Sequence, residues 1–211
     1  EKMLKKFQYE IDPKKVRLGF FSADLRTHSV AKFIEETLKI LKKDNYEIIA
    51  FSNNKLGADD LTTERIKGIF HEWHDIVKVN DLDVVNLIRD KKINILFYLT
   101  GYSTGNRCEI FKNKSAPLQI SWCGYCNSSG IKEIDYLVAD ENLIKKEEDF
   151  NYTEKIIRLP KIWNSHFLIS SEIEINELPA IKNKYLTFGS FNNYGKLSDE
   201  TIKTWSEILK N

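Results

Sequence analysis

The chain has 211 residues, of which 42% are hydrophobic and 30% are charged, and its 32 Lys and Arg nearly balance its 31 Asp and Glu. This composition is typical of a globular protein with a sizeable core, and the balanced charge argues against nucleic-acid or membrane-surface partners. No apolar run approaches the length of a membrane span and no signal peptide is recognisable. The three cysteines show no disulfide-framework spacing, so we expect reduced thiols and a cytoplasmic protein.

Short apolar runs alternate with amphipathic segments over the first two thirds of the chain. The predicted strands are Val16–Ser22, Tyr46–Ser52, Ile93–Thr100, Leu118–Cys123 and Tyr136–Ala139, with a further candidate at Trp73–Val77. Apolar residues recur at helical spacing in Val30–Leu41, Asp60–Phe70 and Leu82–Arg89. Continuous apolar strands between helices favour a Rossmann-like, doubly wound parallel α/β sheet, which we assign to residues 15–168.

The last third of the chain predicts a linker followed by a new α/β unit. Residues 169–184 are polar and weakly patterned. After them, Tyr185–Phe191 reads as a strand and Ser198–Leu209 as a helix, so residues 185–211 are assigned to the start of a second lobe. Residues 1–14 are expected to connect to an upstream region, and the chain is interpreted as part of a longer protein.

Polar side chains crowd the exit of the first predicted strand. Ligands of doubly wound sheets bind beyond the carboxyl ends of the strands, so Asp24 and His28 are candidate site residues. His28 precedes a predicted helix, for which Ser29 is a candidate cap. The positive end of a helix dipole favours a neutral imidazole, which can act as a base or bind substrate. The alternative is a loop or capping histidine without chemistry.

The exit of the fourth predicted strand is a polar loop with two glycines. Thr100, Gly101 and Tyr102 open this loop, and Arg107 falls in the first turn of the following helix. An arginine there could hold an anion, although a structural salt bridge is the alternative. Neither this loop nor the first exit carries the GxGxxG fingerprint, which weakens the interpretation as a nicotinamide-dependent Rossmann enzyme.

Two further loops carry candidate chemistry. Cys123 and Cys126 form a CxxC pair, but neither Cys108 nor any histidine lies at a metal-ligand spacing, so we expect reduced thiols and no metal. In the late loop, Asn193 and Lys196 could reach the diphosphate of a nucleotide sugar. A lysine is a mobile point charge suited to a leaving phosphate, whereas a solvated turn lysine is the alternative.

Four segments together resemble one known family. They are VRLGFFSADLRTHSVAKFIE, INILFYLTGYSTGNRCEIF, APLQISWCGYCNSSG with EIDYLVAD, and FGSFNNYGKLSDETIKTWSEIL. They occur in the order seen in the O-linked N-acetylglucosamine transferase and Spindly family, and the resemblance runs from about Lys15 to the end of the chain.

The resemblance implies a two-lobed glycosyltransferase-B fold, preceded by tetratricopeptide repeats, that needs no metal or other cofactor. His28 matches the family histidine near sugar and acceptor, and Lys196 matches the lysine that neutralises the departing diphosphate. Asn193 falls where a glutamine is common. The family motif asparagine-glycine-tyrosine is matched by Thr100, Gly101 and Tyr102. Departures from the pattern are Thr100 for asparagine or histidine, Cys123 for leucine and Cys126 for proline.

The implied activity is inverting transfer of a sugar, expected to be N-acetylglucosamine, from a nucleoside diphosphate sugar to Ser or Thr of protein acceptors. Asp24 and Arg107 join the substrate-binding candidates. The chain would hold only part of such an enzyme and is expected to be inactive alone. The alternative is a non-catalytic module derived from the same fold that binds protein or glycan.

Overall fold

The computed structural model describes residues 16–44, 46–166 and 174–210, and the chain divides into two compact units, Glu1–Leu168 and Ile169–Asn211. The predicted connection at residues 1–14 and the first part of the predicted linker, residues 169–173, lie outside the described residues. In the part that is described, none of the helices has the length and apolar character needed to cross a membrane.

The first unit is a seven-stranded sheet in which every pair of neighbours is parallel. Its strands are β1 Arg17–Ser22, β2 Glu47–Ser52, β3 Glu72–Asp75, β4 Ile95–Tyr98, β5 Leu118–Ser121, β6 Tyr136–Ala139 and β7 Lys155–Arg158, in the order β3-β2-β1-β4-β5-β6-β7. The helices are α1 Ser29–Lys43, α2 Leu61–Lys67, α3 Asp81–Asp90 and α4 Cys108–Lys112, with a 3₁₀ turn at Lys146–Asn151. The predicted parallel α/β sheet is confirmed, whereas β7 was not predicted.

Helices cover both faces of the sheet, so the predicted doubly wound architecture is confirmed. Successive residues of a strand point to opposite faces, and all of β1 except its first residue is buried. Phe20 packs in one apolar cluster with α1 and α2, whereas Phe21 packs in a second cluster with α3 and α4. The continuous apolar character of the strands therefore reflects two separate cores, one on each side of the sheet.

An ion pair between a buried carboxylate and a partly exposed guanidinium joins α1 to α2. The carboxylate of Glu35 is fully buried and accepts two hydrogen bonds from the Arg65 guanidinium, at 3.0 and 3.1 Å. Burial alone would raise the pKa of Glu35, but the hydrogen bonds from Arg65 and Lys39 outweigh it and lower that pKa. Glu35 is therefore held as a carboxylate at the otherwise apolar face of α1.

The second unit contains two helices and a 3₁₀ turn in its described residues, 174–210. These are α5 Pro179–Asn183, the turn Tyr194–Lys196 and α6 Asp199–Ile208. The predicted helix corresponds to α6, which the side chain of Ser198 caps by accepting a hydrogen bond from Thr201 N at 3.2 Å. The strand prediction for Tyr185–Phe191 is wrong, because a strand requires a hydrogen-bonded neighbour and no strand occurs within residues 174–210.

Candidate active site

The strand order creates a crevice at the carboxyl end of the sheet. β1 and β4 are neighbours, but the chain leaves β1 toward β2 on one side and leaves β4 toward β5 on the other. Loops that depart in opposite directions leave a gap between them, and this topological switch point is where doubly wound sheets bind ligands. We call this gap the switch-point crevice and define it by the loops Ala23–His28 and Thr100–Arg107.

Thr100 joins the two loops of the crevice. Its side chain is fully buried, and its hydroxyl accepts a hydrogen bond from the backbone N–H of Ala23 at 3.0 Å. This contact links residues 77 positions apart in the chain. The hydroxyl of Thr100 is therefore turned toward the β1 loop, and the structure supports a role in holding the crevice together.

Two residues that sequence reasoning missed hold the β1 loop from the side of β2. Asn54 is buried, and its side-chain amide accepts from Leu25 N and donates to Leu25 O, both at 3.0 Å. Asp60 caps α2 and also accepts a hydrogen bond from Thr27 N at 2.8 Å. Asn54 is the second residue after a predicted strand, so the strand-exit rule applied to β2 was the signal that could have found it.

The carboxylate of Asp60 is stabilised in its charged form. Burial alone would raise its pKa, but hydrogen bonds from Thr27, Thr63 and Thr62 outweigh this effect and lower the pKa of Asp60 to about 2. The same carboxylate thus serves the N-terminus of α2 and the turn just before His28.

His28 itself is the cap of α1, and the prediction that Ser29 caps this helix is wrong. Its backbone is extended, and its Nδ1 accepts a hydrogen bond from Val30 N at 3.3 Å. Asp24 is buried and paired with Arg26 at 3.2 Å, and its other carboxylate oxygen lies 3.9 Å from the imidazole Nδ1. With Nδ1 as acceptor, the neutral ring carries its proton on Nε2, and the half-exposed side chain can present that proton to a ligand.

The predicted Gly101–Tyr102 pair lies against the loop that follows β5. Gly101 has a φ of +57°, and a Cβ at this position would lie 2.1 Å from the Cβ of Tyr125, so only glycine fits. The buried hydroxyl of Tyr98 donates to Gly101 O at 2.7 Å and holds this turn from below. The rings of Tyr102 and Tyr125 meet edge to face with their centroids 5.9 Å apart. Both rings are partly exposed, at 51% and 38% respectively.

Gly124 brings the loop after β5 against Leu99, the residue that follows β4. A Cβ at Gly124 would lie 1.7 Å from Leu99 O, which is far inside any possible contact distance. This close approach places the following residue, Tyr125, beside the crevice. Sequence reasoning did not select Gly124 or Tyr125, although a glycine directly at the end of a predicted strand is a signal for a close backbone approach.

Arg107 makes structural contacts within the first unit. Its guanidinium is paired with Asp81 at 2.5 Å and donates to the carbonyl oxygens of Ile76 and Val79 at 2.9 and 2.6 Å. These groups lie at or just before the start of α3, so Arg107 joins the β4 loop to the β3–α3 connection. The arrangement supports the structural alternative that was set beside anion binding.

The two cysteines of the CxxC pair differ in exposure. Cys123 is buried and Cys126 is exposed, and both are free thiols, as is Cys108. Burial raises the pKa of the Cys123 thiol. Among the described residues there is no group of three or more His, Cys, Asp and Glu arranged to hold a metal ion. Independence from metals remains a prediction.

The remaining two candidates, Asn193 and Lys196, lie together in the second unit. The side-chain oxygen of Asn193 accepts a hydrogen bond from Gly195 N at 2.9 Å, and the backbone carbonyl oxygen of Asn193 accepts one from Lys196 N, also at 2.9 Å. Both residues are exposed. Lys196 makes no ion pair with a carboxylate in the described ranges, so its ammonium group is available to an anionic ligand.

Comparison with known proteins identifies the family. The model of glycosyl transferase family 41 matches residues 2–175. A probable UDP-N-acetylglucosamine–peptide N-acetylglucosaminyltransferase, SPINDLY of Oryza sativa subsp. japonica, is 32% identical over 196 residues, which cover 91% of this chain and 21% of that protein. The protein SEC of Arabidopsis thaliana, described as the same kind of enzyme, is 28% identical over 207 residues, covering 93% and 21% of the two chains.

A solved structure agrees with these relatives. A lysine-to-methionine variant of the O-GlcNAc transferase of Thermobaculum terrenum matches with a TM-score of 0.69 and 30% sequence identity, over 72% of this chain and 29% of that one. The chain thus spans about a fifth of the length of the curated relatives. The resemblance drawn from the sequence segments is confirmed, and the chain belongs to glycosyltransferase family 41.

Proposed function

We propose that the protein containing this chain transfers N-acetylglucosamine from a nucleoside diphosphate sugar to Ser or Thr hydroxyls of other proteins, with inversion at the anomeric carbon. The family match over residues 2–175 carries this proposal. It is supported by the names of the relatives, which specify a UDP-N-acetylglucosamine donor and a peptide acceptor. We further propose that the reaction uses no cofactor and takes place in the cytoplasm.

Inverting transfer makes two physical demands. The acceptor oxygen has to be aligned behind the anomeric carbon, and the negative charge that grows on the leaving diphosphate has to be neutralised. The switch-point crevice suits the first demand, because Thr100 ties its two loops together and Asn54 holds the β1 loop from the side of β2. The loops therefore need little reorganisation when a ligand binds.

In this proposal His28 orients the reacting groups. Its Nδ1 already accepts the hydrogen bond of Val30 N, so Nε2 is the protonated nitrogen of the neutral ring and acts as a donor. A donor can hold a hydroxyl or sugar oxygen in place, whereas removal of a proton would require the Val30 hydrogen bond to break. The geometry therefore favours positioning by His28 over general-base catalysis.

Lys196 meets the second demand in this proposal. An exposed ammonium group without a carboxylate partner in the described residues can pair with phosphate oxygens, and the Asn193–Gly195 hydrogen bond stiffens the turn that carries it. Its interaction with the diphosphate strengthens as the glycosidic bond breaks, so Lys196 is expected to act on the transition state more than on the bound substrate.

The proposal is tested by Lys196→Ala in the full-length protein, with Lys203→Ala, an exposed lysine of α6, as the matched control. We expect kcat to fall on the order of a hundredfold or more in Lys196→Ala, with little change in acceptor KM. Lys203→Ala should retain normal turnover. Near-normal turnover in Lys196→Ala would remove the diphosphate role. A wild-type protein that binds a nucleotide sugar without transferring it would instead indicate a non-catalytic binding module.

A further inference from the structure

A buried carboxylate outside the crevice accepts four hydrogen bonds. Glu154 lies directly before β7 and is only 4% exposed. One carboxylate oxygen accepts from the backbone N–H of Ser129 at 2.8 Å and from the Ser129 hydroxyl. The other accepts from the hydroxyls of Ser128 at 2.8 Å and Thr153 at 3.1 Å. These partners are all neutral donors.

The carboxylate is linked to the crevice through a single residue. Ser129, whose N–H and hydroxyl bind Glu154, offers its carbonyl oxygen to the hydroxyl of Tyr102. Tyr102 follows Gly101 in the β4 loop and forms the aromatic pair with Tyr125. The route from Glu154 to the crevice therefore runs through the Ser129 peptide to the tip of the Tyr102 side chain.

Because Tyr102 is exposed, the position of its ring depends on its contacts at the end of this route. About half of the Tyr102 surface is open to solvent, so burial alone does not fix the ring. Its position depends on the hydroxyl bond to Ser129 and on the edge-to-face contact with Tyr125. Only an acceptor with two oxygens can satisfy four converging donors, and burying a carboxylate without such partners would be costly. Ser129 is thus held firmly enough to anchor Tyr102.

From this geometry we infer that Glu154 is a positioning residue for the transfer reaction, which it serves by fixing Ser129 and, through it, the ring of Tyr102 at the rim of the switch-point crevice. The inference rests on the proposed function and adds to it a residue that touches neither donor nor acceptor. The exposed ring of Tyr102 is the part of this route that a substrate in the crevice can reach, and Glu154 decides the orientation of that ring.

The structural half of the inference is tested by hydrogen exchange, which needs no activity. In Glu154→Ala, amides of residues 127–131 and of residues 101–106 should exchange about tenfold faster, since both loops lose the same anchor. Glu141→Ala, an exposed glutamate in the loop after β6, is the matched control and should leave both loops unchanged. Faster exchange confined to residues 127–131 would overturn the link to Tyr102.

The functional half is tested by a double-mutant cycle in the full-length protein. Glu154→Ala and Tyr102→Phe cut the same link at its two ends, so each should lower kcat/KM by about tenfold and the double variant should lose no more than either alone. Glu154→Gln keeps one acceptor oxygen for Ser129 and should restore part of the rate. Additive losses, or a Glu154→Gln variant as poor as Glu154→Ala, would overturn the inference.

The outcomes separate this inference from the proposed function. If the wild-type protein transfers no sugar, the proposed function fails while the exchange experiment still decides the link. If Glu154→Ala does not fold, Tyr102→Phe carries the exchange test by itself and should speed exchange in residues 101–106. Unchanged exchange there would show that the hydroxyl bond does not hold the loop.

Discussion

Replacing Thr100 with valine tests whether its hydroxyl holds the two loops of the crevice together. Valine has nearly the same shape, so the change removes the acceptor of the Ala23 N–H without opening a cavity. A buried N–H left without a partner costs roughly 1–3 kcal/mol. The added methyl group returns about 0.8 kcal/mol of apolar burial. We therefore expect Thr100→Val to lower the free energy of unfolding by about 1 kcal/mol.

The matched control is Thr104→Val in the same loop. Thr104 is exposed, and a substitution there should stay within about 0.5 kcal/mol of the parent protein. Urea denaturation followed by circular dichroism measures both variants, and the dependence of unfolding free energy on urea should be the same in each. If Thr100→Val were no less stable than Thr104→Val, the Thr100–Ala23 hydrogen bond would not hold the crevice together.

Two further predictions concern acid stability and thiol chemistry. Folding lowers the pKa of Asp60 from its usual value of 3.8 to about 2, so the charged carboxylate stabilises the folded protein. This stabilisation is fully present above pH 3.8 and is lost as the pH falls toward about 2. The stability advantage of wild type over Asp60→Asn should therefore shrink across that range in thermal unfolding, and an advantage independent of pH would contradict the assignment. Burial raises the pKa of both thiols of the CxxC pair, but Cys123 is buried whereas Cys126 is exposed, so in the folded protein Cys126 should react with a thiol reagent well before Cys123. Mass spectrometry showing equal labelling would refute this order.

Local sequence patterns were enough to predict much of the first unit. Continuous apolar runs predicted five buried parallel strands, and helical spacing predicted α1, α2 and α3, because both signals depend on residues within one element. β7 was missed since its four residues, Lys155–Arg158, begin and end with a charge and show little pattern. Tyr185–Phe191 was wrongly predicted as a strand because its apolar composition suits one. A strand also needs a neighbouring strand to pair with, which composition does not reveal.

The candidate site, too, could be predicted only in part from the sequence. By itself the sequence determined the family, from four motifs in register, and the polar character of the strand exits at Asp24–His28 and Thr100–Tyr102. Only the tertiary structure decided that β1 and β4 are neighbours, so that Thr100 meets Ala23 across 77 positions of chain, and that Glu154 reaches Tyr102 through Ser129. Such contacts depend on the order of strands in the sheet, which long-range pairing sets and no local pattern encodes.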